Sequence, residues 1–297
     1  MTTNNLFLAR LADEAAVLVT VSASRGSVPR EKGAWMAVFA EGAVGTVGGG
    51  HLEYQAIAEA RQRLLGRTGE PVIRYPLGPA LGQCCGGEVH LQFEPVRACD
   101  SAALQQRLQP VLTPVALFGG GHVGHALVRV LGNLPLQVSW IDSRDEIFPD
   151  QVSPHVTCEH SDPVQSAVAG LVPGAMVLIM SFSHAEDLEV VAACLTRQRS
   201  RADLPFIGLI GSRSKWAMFC HRLEARGFSP QELAQVTCPI GLPGIAGKEP
   251  NVIAVSVAAQ LLQIRTQLRT SCPSVDSANG RCCGTTSSPC ALGIALM

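Results

Sequence analysis

Residues 115–142 read VALFGGGHVGHALVRVLGNLPLQVSWID, and this stretch decides the fold. An apolar strand leads into a glycine turn, a helical pattern follows, and a second apolar run ends in an aspartate. Gly119, Gly121 and Gly124 stand at the G-x-G-x-x-G spacing. Glycines there permit a tight turn, close approach of the backbone to a phosphate, and close packing of the helix on the strand. The helix N-terminus offers unpaired N–H groups to an anion. Asp142 closes the second run roughly 20 residues on, where such an acid accepts hydrogen bonds from a ribose diol. The competing reading is a tight turn with no ligand, and a dinucleotide-type pocket does not by itself imply a nicotinamide.

Outward from this unit the alternation continues. The runs MVLIMSF and PFIGLIG read as further strands separated by helical patterns, the signature of βαβ units and a parallel sheet. The helix SKWAMFCHRLEARG is expected to stop at Gly227. Upstream, AAVLVTVSA, AWMAVFA and EVHLQFEPV read as strands, and HLEYQAIAEARQRLL as a helix with Leu52, Ala56, Glu59 and Arg63 spaced by turns. The expected class is therefore α/β: a mixed α+β domain over residues 1–97, a polar linker over 98–114, and a Rossmann-like parallel-sheet domain over 115–265. Residues 266–297 form a Cys-, Ser- and Gly-rich tail without periodicity, expected to be disordered. Cys272, Cys282, Cys283 and Cys290 in that tail lack a C-x-x-C pair, so a zinc site is not expected.

A chain of 297 residues exceeds one average domain, consistent with two cores. Hydrophobic residues make up 47% against 16% charged, and a homodimer would bury part of that apolar surface. A net charge of −1 without a basic run excludes an electrostatic footprint for nucleic acid. No stretch reaches the length of a membrane span and MTTNNLFLARLADE is not a secretory signal, so a cytoplasmic location is expected. The 11 cysteines are then read as reduced thiols.

Several clusters are candidates for chemistry. Cys84 and Cys85, within GQCCGG, offer soft thiolates from a glycine-flanked turn, with a buried pair of small hydrophobes as the alternative. Gly49 lies in a glycine run whose N–H groups can hold an anion, and His51 at the helix entrance is a ligand contact, a proton donor or simply structural. Glu53 reads as a favourable first-turn charge. His184 and Asp187 follow a strand end, where open α/β sheets bind ligands; Ser183 or Asp187 could equally cap the helix. Arg213 and Lys215, with Ser212 and Ser214, suit a phosphate or a solvated helix start. The loop 238–250, CPIGLPGIAGKEP, is long and apolar enough to shape a site.

Taken in order, RGSVPREKGAWM, VGTVGGGHLEYQAIAEA, GQCCGGEVHLQFEPV, LFGGGHVGHAL, IDSRDEIFP, FSHAEDLEVVAACL, FIGLIGSRSKWAMFCHRLEARG and PIGLPGIAGKEPNVIAVSVAAQLL resemble the XdhC/CoxI family, the xanthine dehydrogenase accessory proteins, over residues 14–265. The resemblance implies a molybdenum-cofactor chaperone. Such a protein binds the molybdopterin form, holds it while a cysteine desulfurase supplies the terminal sulfido ligand, and delivers it to the molybdenum-binding subunit of xanthine dehydrogenase. It places Cys84 and Cys85 in the family's cysteine-glycine turn, as candidate ligands of the metal, and Gly119, Gly121 and Gly124 in its Rossmann turn. The rival class is an NAD(P)-dependent oxidoreductase, or a nucleotide in the Rossmann cleft, with His184 as acid or base. A redox or metal-binding module built on the cysteines ranks third.

Overall fold

The structure is a computed structural model, and it describes residues 3–77 and 87–271. The chain divides into two compact units, Met1–Pro110 and Val111–Met297. The first holds helix α1 (Thr3–Leu11), strands β1 (Ala16–Arg25), β2 (Trp35–Val38) and β3 (Ala43–Gly45), helix α2 (Gly50–Leu64), strands β4 (Val72–Pro76) and β5 (Glu88–Val96), a 3-10 turn (Ala98–Asp100) and helix α3 (Ser101–Arg107). Its sheet is antiparallel, in the order β3-β2-β1-β5-β4. β1 opens on the apolar run Ala16–Val19 because both of its faces are covered there: Val17, Val19 and Val21 pack with Leu52, Ala56 and Ala60 of α2, while Ala16 and Leu18 pack with Phe7 and Leu11 of α1 and Leu104 of α3.

The helix expected over HLEYQAIAEARQRLL is α2, and Leu52, Ala56 and Ala60 are the residues it buries. Glu59 and Arg63 form an ion pair at 2.9 Å, with the Arg63 guanidinium over the Phe93 ring. One sequence expectation changes here: the stretch 98–114, read as a linker, begins with the 3-10 turn and α3, whose Leu104 is buried in the first unit, and it ends inside the next strand.

The second unit alternates strand and helix: β6 (Thr113–Phe118), α4 (His122–Leu131), β7 (Leu136–Asp142), β8 (Val156–His160), a 3-10 segment (Val164–Gly170), β9 (Met176–Ile179), α5 (His184–Arg201), β10 (Phe206–Leu209), α6 (Arg213–Glu224), α7 (Pro230–Leu233), β11 (Val236–Thr237) and α8 (Pro250–Ser271). The strands are parallel, in the order β11-β10-β9-β6-β7-β8, which is the doubly wound order that reverses between β6 and β9. Alternate residues serve opposite faces. Val115 and Leu117 pack with α4 and α8, and Ala116 and Phe118 with α5, α6 and the 3-10 segment. α8 runs past the expected end at 265 to Ser271, and the cysteine-rich residues from 272 onward lie outside the described residues. Among the described residues no helix is long and apolar enough to cross a membrane.

Candidate functional site

The carboxyl ends of β6, β7 and β9 meet at the reversal of strand order, and the glycine turn lies there. Gly119 has φ 122°, and a Cβ on it would stand 1.9 Å from the Met180 carbonyl oxygen at the end of β9. A Cβ on Gly124 would stand 2.2 Å from the Gly119 oxygen, so helix α4 sits against the strand as closely as only glycine allows. Gly121 is different in kind. Nothing lies within 4 Å of the Cβ it lacks, and as N-cap of α4 it makes no side-chain cap hydrogen bond. The next three helices begin with serines that do: Ser183 accepts from the Glu186 N–H, Ser212 from Lys215 and Ser229 from Glu232. The N-terminus of α4 thus faces open space with its first-turn N–H groups uncapped, the arrangement that suits an anion.

Asp142 does not present the free acceptor expected of a ribose-binding acid. It is 1% exposed. Its Oδ2 accepts from the Gly120 N–H at 2.5 Å and Arg144 Nη2 at 3.0 Å; its Oδ1 accepts from the Arg144 N–H at 2.9 Å and Nε at 2.8 Å. Burial pushes this carboxyl up, but the Arg144 guanidinium and the Gly120 and Arg144 N–H groups outweigh it and hold it below the usual carboxylate range. Ile147 closes the same place from above, since a Cβ on Gly120 would meet its side chain at 2.5 Å. Arg144 is clamped on its other face, with the guanidinium carbon 4.3 Å from the centroid of the exposed Phe182 ring. Sequence reading missed Arg144 and Phe182, although both lie within the segments IDSRDEIFP and FSHAEDLE.

Behind this rim, Asp187 is 2% exposed and structural: it accepts from the Ser181 N–H at 2.7 Å and Lys215 Nζ at 2.6 Å. Lys215 also donates to the Ile210 carbonyl at 2.9 Å, so of the two cations expected to face a phosphate only Arg213, exposed at the start of α6, is uncommitted. His184 is exposed, edge-on to Phe219 and apart from Asp187's partners, so the two do not form an acid-base pair. Among the described residues, the buried side-chain polar atom without a hydrogen-bond partner is the hydroxyl oxygen of Ser181, at the end of β9. The apolar loop 238–250 is pinned to α8, where Ser256 Oγ accepts from the Leu242 N–H and Gln260 Oε1 from the Gly241 N–H, each at 2.8 Å.

In the first unit, the glycine run before α2 is already filled by an anion of the chain itself. Glu53 Oε2 accepts from the Val47 and Gly49 N–H groups at 3.1 Å each and from Thr46 Oγ1 at 2.5 Å. Gly49 therefore does not offer its N–H to a ligand, and Glu53 is a latch rather than a mere first-turn charge. His51 is exposed, stacked on Tyr54 and hydrogen-bonded by Gln55 at 3.0 Å. Cys84 and Cys85 lie outside the described residues. Gly87, just after them, packs so tightly that a Cβ would stand 2.1 Å from the Ser27 oxygen. The five described cysteines carry no disulfide, and among the described residues no three His, Cys, Asp or Glu side chains gather as a metal site.

Comparison with known proteins adds the family. The profile of the XdhC Rossmann domain matches residues 115–261, and that of the XdhC and CoxI family matches residues 9–76. The Escherichia coli K12 protein named uncharacterized protein YqeB is 30% identical over 251 residues, spanning 82% of this chain and 42% of that protein, so the chain covers less than half of that relative's length. A Bacillus halodurans protein described as a xanthine dehydrogenase shares the fold, with a TM-score of 0.72 at 21% identity over 92% of this chain and 98% of that one. With the two profiles falling in chain order on the two units, the chain belongs to the XdhC and CoxI family.

Proposed function

We propose that the protein is a molybdenum-cofactor chaperone that binds the molybdopterin form, holds it during sulfuration by a cysteine desulfurase, and passes it to the molybdenum-binding subunit of xanthine dehydrogenase. The observation that carries this reading is the pairing of an open, uncapped phosphate cradle at Gly121 with a ribose acceptor, Asp142, whose bonding positions are filled by the chain. Molybdopterin has one phosphate and no ribose, so it asks for the first and not the second. Family membership and the fold shared with a protein described as a xanthine dehydrogenase point the same way.

The residues that would hold the phosphate are Gly121 and the first-turn N–H groups of α4, with the partnerless hydroxyl of Ser181 at the neighbouring strand end as a further donor. When bound, the group supplies a dithiolene-held molybdenum able to take up a sulfido ligand; the chain's part is to bind, orient and shield it. Cys84 and Cys85 are proposed as the thiols that meet or shield the metal end, since a thiolate is the soft ligand such a metal prefers. A nicotinamide oxidoreductase has weaker support, because it needs the diol acceptor that Arg144 occupies and an acid-base pair that His184 lacks.

The test is the cofactor content of the protein purified from a host that makes molybdopterin, read as molybdenum by metal analysis and as the fluorescent oxidised pterin. Near-stoichiometric values of both are expected. A preparation free of both, or steady hydride transfer to NAD from a small substrate, would remove the reading. A strain lacking the protein should hold xanthine dehydrogenase polypeptide at normal abundance and low activity.

A further inference from the structure

We infer that Arg144 is the specificity-determining residue of the glycine-turn cleft, holding Asp142 closed so that the cradle admits a phosphate-bearing ligand and rejects dinucleotides. The inference rests on the cradle reading above and explains how a turn with the dinucleotide spacing would escape dinucleotide binding.

The contacts carry it. In a dinucleotide fold the acid at the end of the second strand accepts the ribose hydroxyls, and the glycines take the pyrophosphate. Here the acid is present at that position, but Arg144, two residues later, lays its planar fork across it, Nε to Oδ1 at 2.8 Å and Nη2 to Oδ2 at 3.0 Å. An Arg-carboxylate fork of this kind satisfies the same two oxygens that a diol would use. With the Gly120 and Arg144 N–H groups added, four donors meet the carboxylate, and an ionised carboxylate has about four acceptor positions. The Phe182 ring on the far face keeps the guanidinium from swinging out. A nucleoside would have to break the fork and then the stack, leaving a guanidinium without its partner. A ligand that uses only the N–H groups of α4 leaves both intact.

The experiment is calorimetry with NAD+ and with ADP-ribose on the full chain, comparing wild type, Arg144→Ala and Arg144→Gln, the glutamine retaining side-chain bulk should alanine fold poorly. Both variants should gain at least about tenfold in affinity. The gain should vanish in Arg144→Ala combined with Asp142→Ala, because the freed carboxylate is what receives the diol. Wild-type binding as tight as that of the variants, or no gain in either folded variant, overturns the inference. So does a gain confined to Ile147→Ala, which would assign the exclusion to the apolar cover. Molybdenum and pterin content of the same wild-type preparation separates the two claims: a cofactor-free wild type whose Arg144 variants gain NAD+ loses the chaperone reading alone, and a loaded wild type whose variants gain nothing loses this inference alone.

Discussion

Arg144 grips both carboxylate oxygens of Asp142 while Gly120, at the heart of the glycine turn, donates its N–H to the same group. One carboxylate therefore ties the end of β7 to the end of β6. Asp142→Asn removes the charge and should cost about 2 kcal/mol in urea unfolding at neutral pH. The sign of the pH dependence follows from the lowered folded pKa. The contribution of Asp142 is present above the ordinary carboxylate range and is lost as pH falls through the depressed value, below 3.8. In that acid window the stability of Asp142→Asn should fall less steeply than wild type. Parallel curves there would show that the ion pair does not contribute.

Gly121 and Gly124 should respond oppositely to a side chain. Gly124→Ala drives a methyl into the Gly119 carbonyl and should cost about 3 kcal/mol, because backbone rather than a flexible side chain must move. Gly121→Val, at φ −74° with open space around it, should fold within about 1 kcal/mol of wild type and yet lose molybdopterin by covering the amides of α4. Retained cofactor in Gly121→Val would make the turn purely structural.

Lys215→Met strands a buried carboxylate. Asp187 keeps the Ser181 N–H but loses its counter-ion, which should cost about 3 kcal/mol in denaturant unfolding. The double variant Asp187→Asn with Lys215→Met should recover a large part of that loss. A cycle with no coupling between the two positions would contradict the pair.

Glu53→Ala releases the N–H groups of Val47 and Gly49 and the hydroxyl of Thr46 at once, and should destabilise the first unit by about 2 kcal/mol. Glu53→Gln retains one acceptor oxygen and should lose less. Equal losses in the two would mean that charge, rather than acceptor geometry, holds the turn.

The glycine turn and its flanks were legible because hydrophobic period, glycine spacing and a terminal acid all fall within 28 consecutive letters, 115–142, and each signal is local. What Asp142 bonds to was not legible. Ser143 and Arg144 look like an ordinary polar turn, and nothing in their spacing says that the guanidinium folds back onto the acid two residues earlier. Glu53 was visible as a first-turn acid, yet its reach back to Val47 depends on three glycines with positive φ, a conformation the letters permit but do not impose. Helix α1 escaped notice although Phe7 and Leu11, four apart and both buried, were its signal. Strands β3 and β11, of three and two residues, are too short to show a period. The role of Lys215 depends on Asp187, 28 residues away, and only the packing of α6 beside α5 joins them.

The described cores are disjoint: two clusters draw only on residues up to Leu108, and the other two only on residues from Val115 onward. A calorimetric scan should then resolve into two endotherms, since each unit carries apolar clusters of its own. Mass action turns this into an assay of location. A compound seated in the glycine turn raises the unfolding free energy of one unit by RT ln(1 + [L]/Kd), about 2.7 kcal/mol at a hundredfold excess over Kd, and leaves the other endotherm where it was. Which peak moves identifies the unit that holds the cargo, before any atomic picture of the complex exists.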